Sequence, residues 1–184
     1  TGQTMLCLVV NGGGLPRERE LAAHLAEKFS QLASIQLNRN DQNTNVILGP
    51  RSRVLWGAAT ITDRLCGLEV SLSPGAFYQV NSPAAQRLYA IAAEYAGLTG
   101  RETLLDLYCG AGTIGLSMAG RCRRVIGVEI VPQAVENARE NARRNGIGNA
   151  RFLCADAAQA ALQLEGEGIT PDVVVLDPPR KGCG

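Results

Sequence analysis

In Leu104-Leu105-Asp106-Leu107-Tyr108-Cys109-Gly110-Ala111-Gly112-Thr113-Ile114-Gly115, three glycines stand between an apolar run and a helical one. A glycine-rich turn at a strand-to-helix junction lets the backbone approach a ligand closely. Nineteen residues after Gly110, at the end of the next apolar run, comes Glu129 in Ile126-Gly127-Val128-Glu129. A carboxylate there can accept hydrogen bonds from two ribose hydroxyls. Turn and acid together point to an adenosine-containing cofactor. A dinucleotide would set its pyrophosphate on the helix N-terminus. S-adenosylmethionine has no phosphate; its ammonium and sulfonium need acceptors. Asp106, just before the glycines, would repel a pyrophosphate and suits the cation, so these residues favour S-adenosylmethionine. The other reading of Asp106 is a turn cap.

Two more carboxylates end apolar runs. Asp156, in Cys154-Ala155-Asp156-Ala157, is placed to accept from an adenine amino group or to cap the next helix, and both can hold at once. Asp177 ends Val173-Val174-Val175-Leu176 and opens Asp-Pro-Pro-Arg. Ligands of open α/β sheets bind beyond the carboxyl ends of the strands. Pro178 and Pro179 fix the backbone there, so Asp177 should project into the site from a rigid loop. Arg180 and Lys181 add cations suited to RNA phosphates, or form a solvated pair on a surface loop. Gln79, in Phe77-Tyr78-Gln79-Val80-Asn81, can bind a base edge or satisfy buried backbone groups; taken alone, it favours the second.

The hydrophobic pattern marks the elements that must hold these groups. Residues 4–10 read as a buried strand. Pro16 opens a helix with Leu21, Leu25 and Phe29 on one face. Ser34–Leu37 and Asn45–Leu48 read as strands joined by a polar turn, Asn38–Thr44. Residues 53–63 hold a further strand or two. Leu68, Val70 and Leu72 alternate with polar residues, as in a half-buried antiparallel strand. After Ser73-Pro74-Gly75 strands and helices alternate. Helix 82–96 is capped by Asn81 or Ser82 and carries Leu88, Ile91, Ala92 and Tyr95 on one face. Strand 103–107, a helix from 113, strand 124–130, helix 132–145, strand 151–154, helix 157–164 and strand 172–177 follow. The pattern predicts a small α+β domain over residues 1–74. Residues 75–184 should form an α/β domain with a parallel, doubly wound sheet.

Composition bounds the class. The 184 residues are 46% hydrophobic and 19% charged, which excludes a disordered chain. No run approaches the ~20 apolar residues of a membrane helix. A net charge of +1 gives no bulk sign of nucleic-acid binding and leaves room for a local patch. The six cysteines show no C-x-x-C spacing and His24 is the sole histidine, so no zinc site is expected. Scattered thiols among apolar neighbours predict a reduced, cytoplasmic protein. The chain opens at Thr1 without an initiator Met and stops just past a strand and turn, as a piece of a longer protein would.

Four motifs, in order, resemble the RNA uracil-C5 methyltransferases, which make 5-methyluridine in 23S ribosomal RNA and in tRNA. They are Phe77-Tyr78-Gln79-Val80-Asn81, the run Leu105–Thr113, Gly127-Val128-Glu129, and Leu176-Asp177-Pro178-Pro179-Arg180-Lys181-Gly182-Cys183. Thr44–Gly49 and Ile61–Gly67 are similar to the family's central domain, so the resemblance covers nearly the whole chain. It implies a Rossmann-like methyltransferase fold, truncated here, with S-adenosylmethionine as cofactor. It implies RNA as partner, with 23S RNA favoured by the string Asp-Pro-Pro-Arg-Lys-Gly-Cys, no membrane, and a monomer. Gln79, Tyr108, Glu129 and Asp177 would contact the cofactor, with Asp106, Gly110, Gly112, Thr113 and Asp156 as further candidates. Thr113 stands where some members carry an Asn. Gln79, Asp177 and Arg180 would face the target base.

In that family a cysteine thiolate attacks uracil C6, C5 then takes the methyl group, and a glutamate removes the C5 proton. Both residues belong to motifs beyond Asp-Pro-Pro-Arg that this sequence does not contain. The resemblance therefore implies cofactor binding without completed catalysis, and no catalytic residue here. It gives Cys109 and Cys183 no nucleophilic role. An RNA-binding domain and the cysteine cluster of an iron–sulfur centre, which many members carry upstream, are likewise not in this stretch. Other readings stay open. A tRNA is the alternative target. A base amino-group methyltransferase usually has an aromatic residue after Asp-Pro-Pro, where Arg180 stands. An NAD-dependent oxidoreductase fits the glycines but not Asp106. A scaffold fragment with a decayed cofactor fold fits poorly with intact Asp106, Glu129 and Asp177.

Overall fold

The computed structural model describes residues 1–43, 46–76, 78–79 and 81–178. The chain forms two compact units, Thr1–Asp63 with Ser71–Gly75, and Arg64–Val70 with Ala76–Gly184.

In the first unit, β1 (Thr4–Val10), α1 (Glu18–Lys28) and β2 (Leu32–Arg39) make a crossover that sets β1 and β2 parallel. β3 (Arg51–Gly57) lies antiparallel on the other side of β2. Ala22 packs with Leu32 and Ile35, and Leu6, Leu25, Ala26 and Leu55 close around them. Two expectations fail here. Arg17 takes a left-handed backbone (φ 54°) as N-cap, so α1 starts after Pro16, at Glu18. Its inner face centres on Ala22, while Leu21 and Phe29 are exposed; contact through a small residue lets the helix sit low on the sheet.

The second failure is the strand expected over Asn45–Leu48. Thr44 and Asn45 lie outside the described residues, and residues 46–48 are irregular, with Val46 and Ile47 exposed. Side chains from β2 and its end take their backbone groups instead. Asn40 Nδ2 donates to Val46 O (2.7 Å) and Ile47 O (3.0 Å). Asn38 Nδ2 donates to Gly49 O (2.9 Å) and its Oδ1 accepts from Gly49 N (2.7 Å). Both edges of β2 are already paired, so residues 46–48 form no ladder with it.

β4 (Ile61–Leu65) and β5 (Leu68–Leu72) pair as a hairpin. Its two-residue connection, Cys66-Gly67, has positive φ at both positions (52° and 81°), as a type I′ turn requires.

In the second unit, α2 (Ser82–Ala96) is N-capped by Asn81, whose Oδ1 accepts from Ala84 N (3.2 Å). The face expected to be buried is not: Leu88 is 58%, Ile91 41% and Tyr95 88% exposed, whereas Ala85 and Tyr89 are buried. An alanine-rich helix offers two apolar stripes, and the Tyr89 hydroxyl selects one by meeting Thr113 Oγ1 at 2.9 Å. Then follow β6 (Thr103–Leu107), α3 (Thr113–Met118), β7 (Arg124–Glu129), α4 (Pro132–Arg144), β8 (Ala150–Cys154), α5 (Ala157–Gly166) and β9 (Val173–Leu176). The four strands are parallel, in the order β8-β7-β6-β9. The doubly wound sheet is therefore as expected, with element ends shifted by only a residue or two. Leu105, Ile126, Val128, Leu153, Ala160 and Leu164 form one core between sheet and α5.

On the α4 side, the Phe152 ring fills space that two glycines leave. A Cβ on Gly127 would lie 2.5 Å from Phe152 Cδ1 and 2.9 Å from Cys109 Sγ. Gly127→Ala should therefore cost about 1–3 kcal/mol through overpacking. Urea unfolding measures it, and an unchanged midpoint and slope would contradict this packing.

Candidate functional site

β6 lies between β7 and β9, so the chain order reverses on either side of it. A parallel sheet with such a reversal binds ligands beyond its carboxyl ends. Asp106, Glu129, Asp156 and Asp177 stand at or just past the carboxyl ends of β6, β7, β8 and β9.

Asp106 is fully buried. Its Oδ2 accepts from Gly115 N (2.8 Å) in the first turns of α3, while Oδ1 has no partner among the described residues. Burial pushes its pKa up to about 7, and the nearby charges of Asp177 and Glu129 add to the rise; the Gly115 N–H works against it. Gly115 is required by this contact, since a Cβ there would lie 2.9 Å from Asp106 Oδ2 and from Val125 Cγ1.

Between these anchors the backbone arches. Tyr108, Gly110 and Gly112 all take positive φ (62°, 54° and 79°). For a tyrosine that conformation is costly, of order 1–3 kcal/mol, and such strain gathers at ligand sites. The arch aims Gly110 N at Glu129 Oε2 (3.1 Å), while Glu129 Oε1 accepts from Val131 N (2.9 Å). The carboxylate is held on both oxygens, yet each keeps a lone pair for another donor. Asn141 Nδ2 donates to Ala111 O (3.0 Å) from α4 and props the turn.

Beside the arch lies a cleft of about 420 Å³, lined by Tyr108, Val128, Glu129, Ile130, Ala155, Asp156, Ala157 and Ala158. Asp156 caps α5 through Gln159 N (2.7 Å) and still borders the cleft, so both readings of it remain physically compatible. Thr113 is the first residue of α3 and its hydroxyl is engaged by Tyr89. Asp177 is exposed just past β9, with its N–H 3.5 Å from Leu107 O. Gln79 is half-buried ahead of α2. Neither lines the cleft. Phe77, Val80 and Pro179–Gly184, and with them Arg180, Lys181 and Cys183, lie outside the described residues. Cys109 is buried, and burial, reinforced by Asp106 and Glu129, pushes its thiol far above the usual range, which disfavours a thiolate there. A wider hollow of about 810 Å³ runs along α4 and β8. Its Arg139, Arg143 and Arg151 are paired with Glu136, Glu140 and Glu167, and among the described residues no acid lines it.

The sequence did not single out Tyr89 or Asn141. Asn141's one signal is its place in the four-spaced series Asn137, Asn141, Asn145 on and after α4. Among the described residues no cluster suits a metal ion, and no helix is long and apolar enough to cross a membrane.

The arrangement is rich in acceptors and negative. It suits hydroxyls and cations and opposes phosphates. Because Asp106 titrates higher folded than unfolded, the native state keeps its proton between about pH 4 and 7 while the unfolded chain has lost it. Unfolding free energy should therefore fall as pH rises through that window, by at most ~1.4 kcal/mol per pH unit, and level off above it. Asp106→Asn should remove this fall. Urea unfolding at pH 5 and pH 8 tests it, and an equal loss in both proteins would count against a buried, late-titrating Asp106.

Residues 98–177 match the family described as "Methyltransferase domain". Over 183 residues and its full length, the chain is 45% identical to an "uncharacterized RNA methyltransferase" of Staphylococcus aureus and 44% identical to one of Clostridium acetobutylicum. It spans 40% of the length of these relatives. Among solved structures, it is similar to the Pyrococcus abyssi tRNA (uracil-54, C5)-methyltransferase in complex with S-adenosyl-L-homocysteine. That match has 28% identity and a TM-score of 0.73, covering 99% of this chain and 42% of the other. The chain is a full-length homologue of part of these proteins named RNA methyltransferases, and it carries the Rossmann-like methyltransferase fold.

Proposed function

We propose that this chain is the cofactor-binding part of an S-adenosylmethionine-dependent RNA methyltransferase that acts on uracil C5. Residues 1–74 serve as its central domain and residues 75–184 as its cofactor domain. The observation that carries the reading is the acceptor-lined cleft beside the glycine arch, with Glu129 locked at its edge and a buried carboxyl behind it. A pyrophosphate in the cleft would meet the carboxylates of Glu129 and Asp156 that line it; a ligand bearing an ammonium and a sulfonium meets complementary charge. This favours S-adenosylmethionine over NAD.

In this reading Glu129 accepts from the two ribose hydroxyls, using the lone pairs left free by Gly110 and Val131. Gly110 and Gly112 let the arched backbone come close, Tyr108 flanks the adenosyl group, and Asp156 accepts from the adenine amino group while capping α5. Asp106, through its unpartnered Oδ1, supplies negative potential behind the arch, and Thr113 holds the arch to α2 through Tyr89. Asp177 and Gln79, outside the cleft, face the methyl-transfer side and the target base, with Arg180 on the RNA. Bound there, the cofactor supplies a methyl group on a sulfonium.

For the whole protein, 23S ribosomal RNA is the target favoured by Asp-Pro-Pro-Arg-Lys-Gly-Cys. A tRNA is the second reading, supported by the solved tRNA (uracil-54, C5)-methyltransferase to which the chain is similar. Mapping the methylated atom after incubating the whole protein with each RNA separates these targets, and separates C5 from amino-group transfer.

For the chain itself, calorimetric titration with S-adenosylmethionine, S-adenosylhomocysteine and NAD is the direct test. Both adenosyl ligands should bind. Glu129→Ala should lose roughly 1–3 kcal/mol of binding, up to about a hundredfold in affinity. Binding of NAD, or adenosyl binding indifferent to Glu129, would overturn the cofactor reading.

A further inference from the structure

The arginines around the parallel sheet of the second unit fall into two groups. On α4 and β8, Arg139, Arg143, Arg144 and Arg151 each pair with a glutamate. At the amino ends of β6 and β7, Arg101, Arg121, Arg123 and Arg124 form no ion pair among the described residues. Two of these converge. Arg123 Nη2 donates to Thr103 Oγ1 at 3.1 Å, and Arg124 Nη2 faces the same oxygen at 3.5 Å. Thr103 is fully buried, so its hydroxyl is a fixed point that gathers two like charges onto one neutral acceptor.

The acids at this end are otherwise engaged. Glu102 takes Thr99 Oγ1 and the N–H groups of Thr99, Gly100 and Arg101. Asp172 Oδ2 accepts from Thr103 N (2.7 Å), and Glu167 is held by Arg151. A cavity of about 220 Å³ is lined by Arg123 and Arg124, and Arg124 Nε is buried with no acceptor among the described residues. Glu167 lies within the field of Arg124 but pairs with Arg151. Two guanidinium groups brought together with no ion pair of their own among the described residues have donors to spare in the fork geometry that suits a tetrahedral oxyanion.

We propose that Arg123 and Arg124, gathered by Thr103, form a phosphate-binding site whose ligand is a backbone phosphate of RNA. β7 separates it from Glu129 by five residue steps, roughly 17 Å, so it is distinct from the cofactor cleft. The oxyanion site stands on this geometry alone; RNA as the source of the phosphate rests on the function proposed above. A contact there would position RNA on the protein without reading its sequence.

The test uses the intact chain with two probes, inorganic phosphate and a short labelled oligouridylate. Phosphate should raise the melting temperature of the wild type and not that of Arg123→Gln/Arg124→Gln. Oligouridylate binding, read by fluorescence anisotropy, should weaken at least about tenfold in that variant, and the slope of log Kd against log salt should drop by about one. Arg123 is exposed, so Arg123→Gln alone keeps the fold and should show a smaller loss of the same kind. Loss of the phosphate response without loss of oligouridylate binding would retain the oxyanion site and overturn RNA as its source. If the variants match the wild type with both probes, the proposal is wrong. Cofactor titration of the same variants should be unchanged, so failure here and failure of the cofactor reading remain distinguishable.

Discussion

The hydrogen bond from Gly115 N–H to the buried Asp106 carboxyl ties the end of β6 to the start of α3, and the site is built around that tie. It explains why residue 115 must lack a Cβ. It also fixes both ends of the segment 107–114, which closes the distance by arching through three left-handed residues. The arch in turn presents Gly110 N to Glu129 and so locks a carboxylate at the edge of the cleft. A buried carboxyl with one unpartnered oxygen is unfavourable for folding by itself. Its retention beside two further acids is understandable where a cation has to be recognised.

Packing keeps this arrangement stiff. Phe152 on β8 occupies the space over Gly127 and beside Gly112, where added Cβ atoms would come within about 3 Å of its ring. Asn141 props Ala111 from α4, and Tyr89 holds Thr113 from α2. The turn is thus braced by a strand and two helices, none of them adjacent to it in sequence. Preorganised donors and acceptors avoid the ordering cost that a loose loop would add to ligand binding.

How much of this was readable in advance varied with the physics. In the second unit, buried parallel strands give unbroken apolar runs and the helices carry Asn81 and Asp156 as clear start signals, so the alternation and the placing of Glu129 and Asp156 were legible. In the first unit, polar side chains decided the outcome. Asn38 and Asn40 capture the backbone of residues 46–49, and no periodicity rule reports that. The buried faces of α1 and α2 differ from the expected ones because alanine-rich helices offer more than one apolar stripe. The residue type of Asp106 left ligand acceptor and turn cap open; in the fold one oxygen caps and the other has no partner among the described residues. The contacts of Tyr89 and Asn141 were illegible because they join distant segments, as was the convergence of Arg123 and Arg124 on Thr103.

At neutral pH the buried Asp106 carboxyl lies near its midpoint, so a cation bound in the cleft should draw it toward the charged form. The most direct test follows the Asp106 side-chain carboxyl carbon by NMR through a pH titration, with and without saturating S-adenosylmethionine. The midpoint should lie near 7 in the free protein and move clearly downward with ligand. A midpoint in the ordinary carboxylate range, unmoved by the ligand, would contradict it.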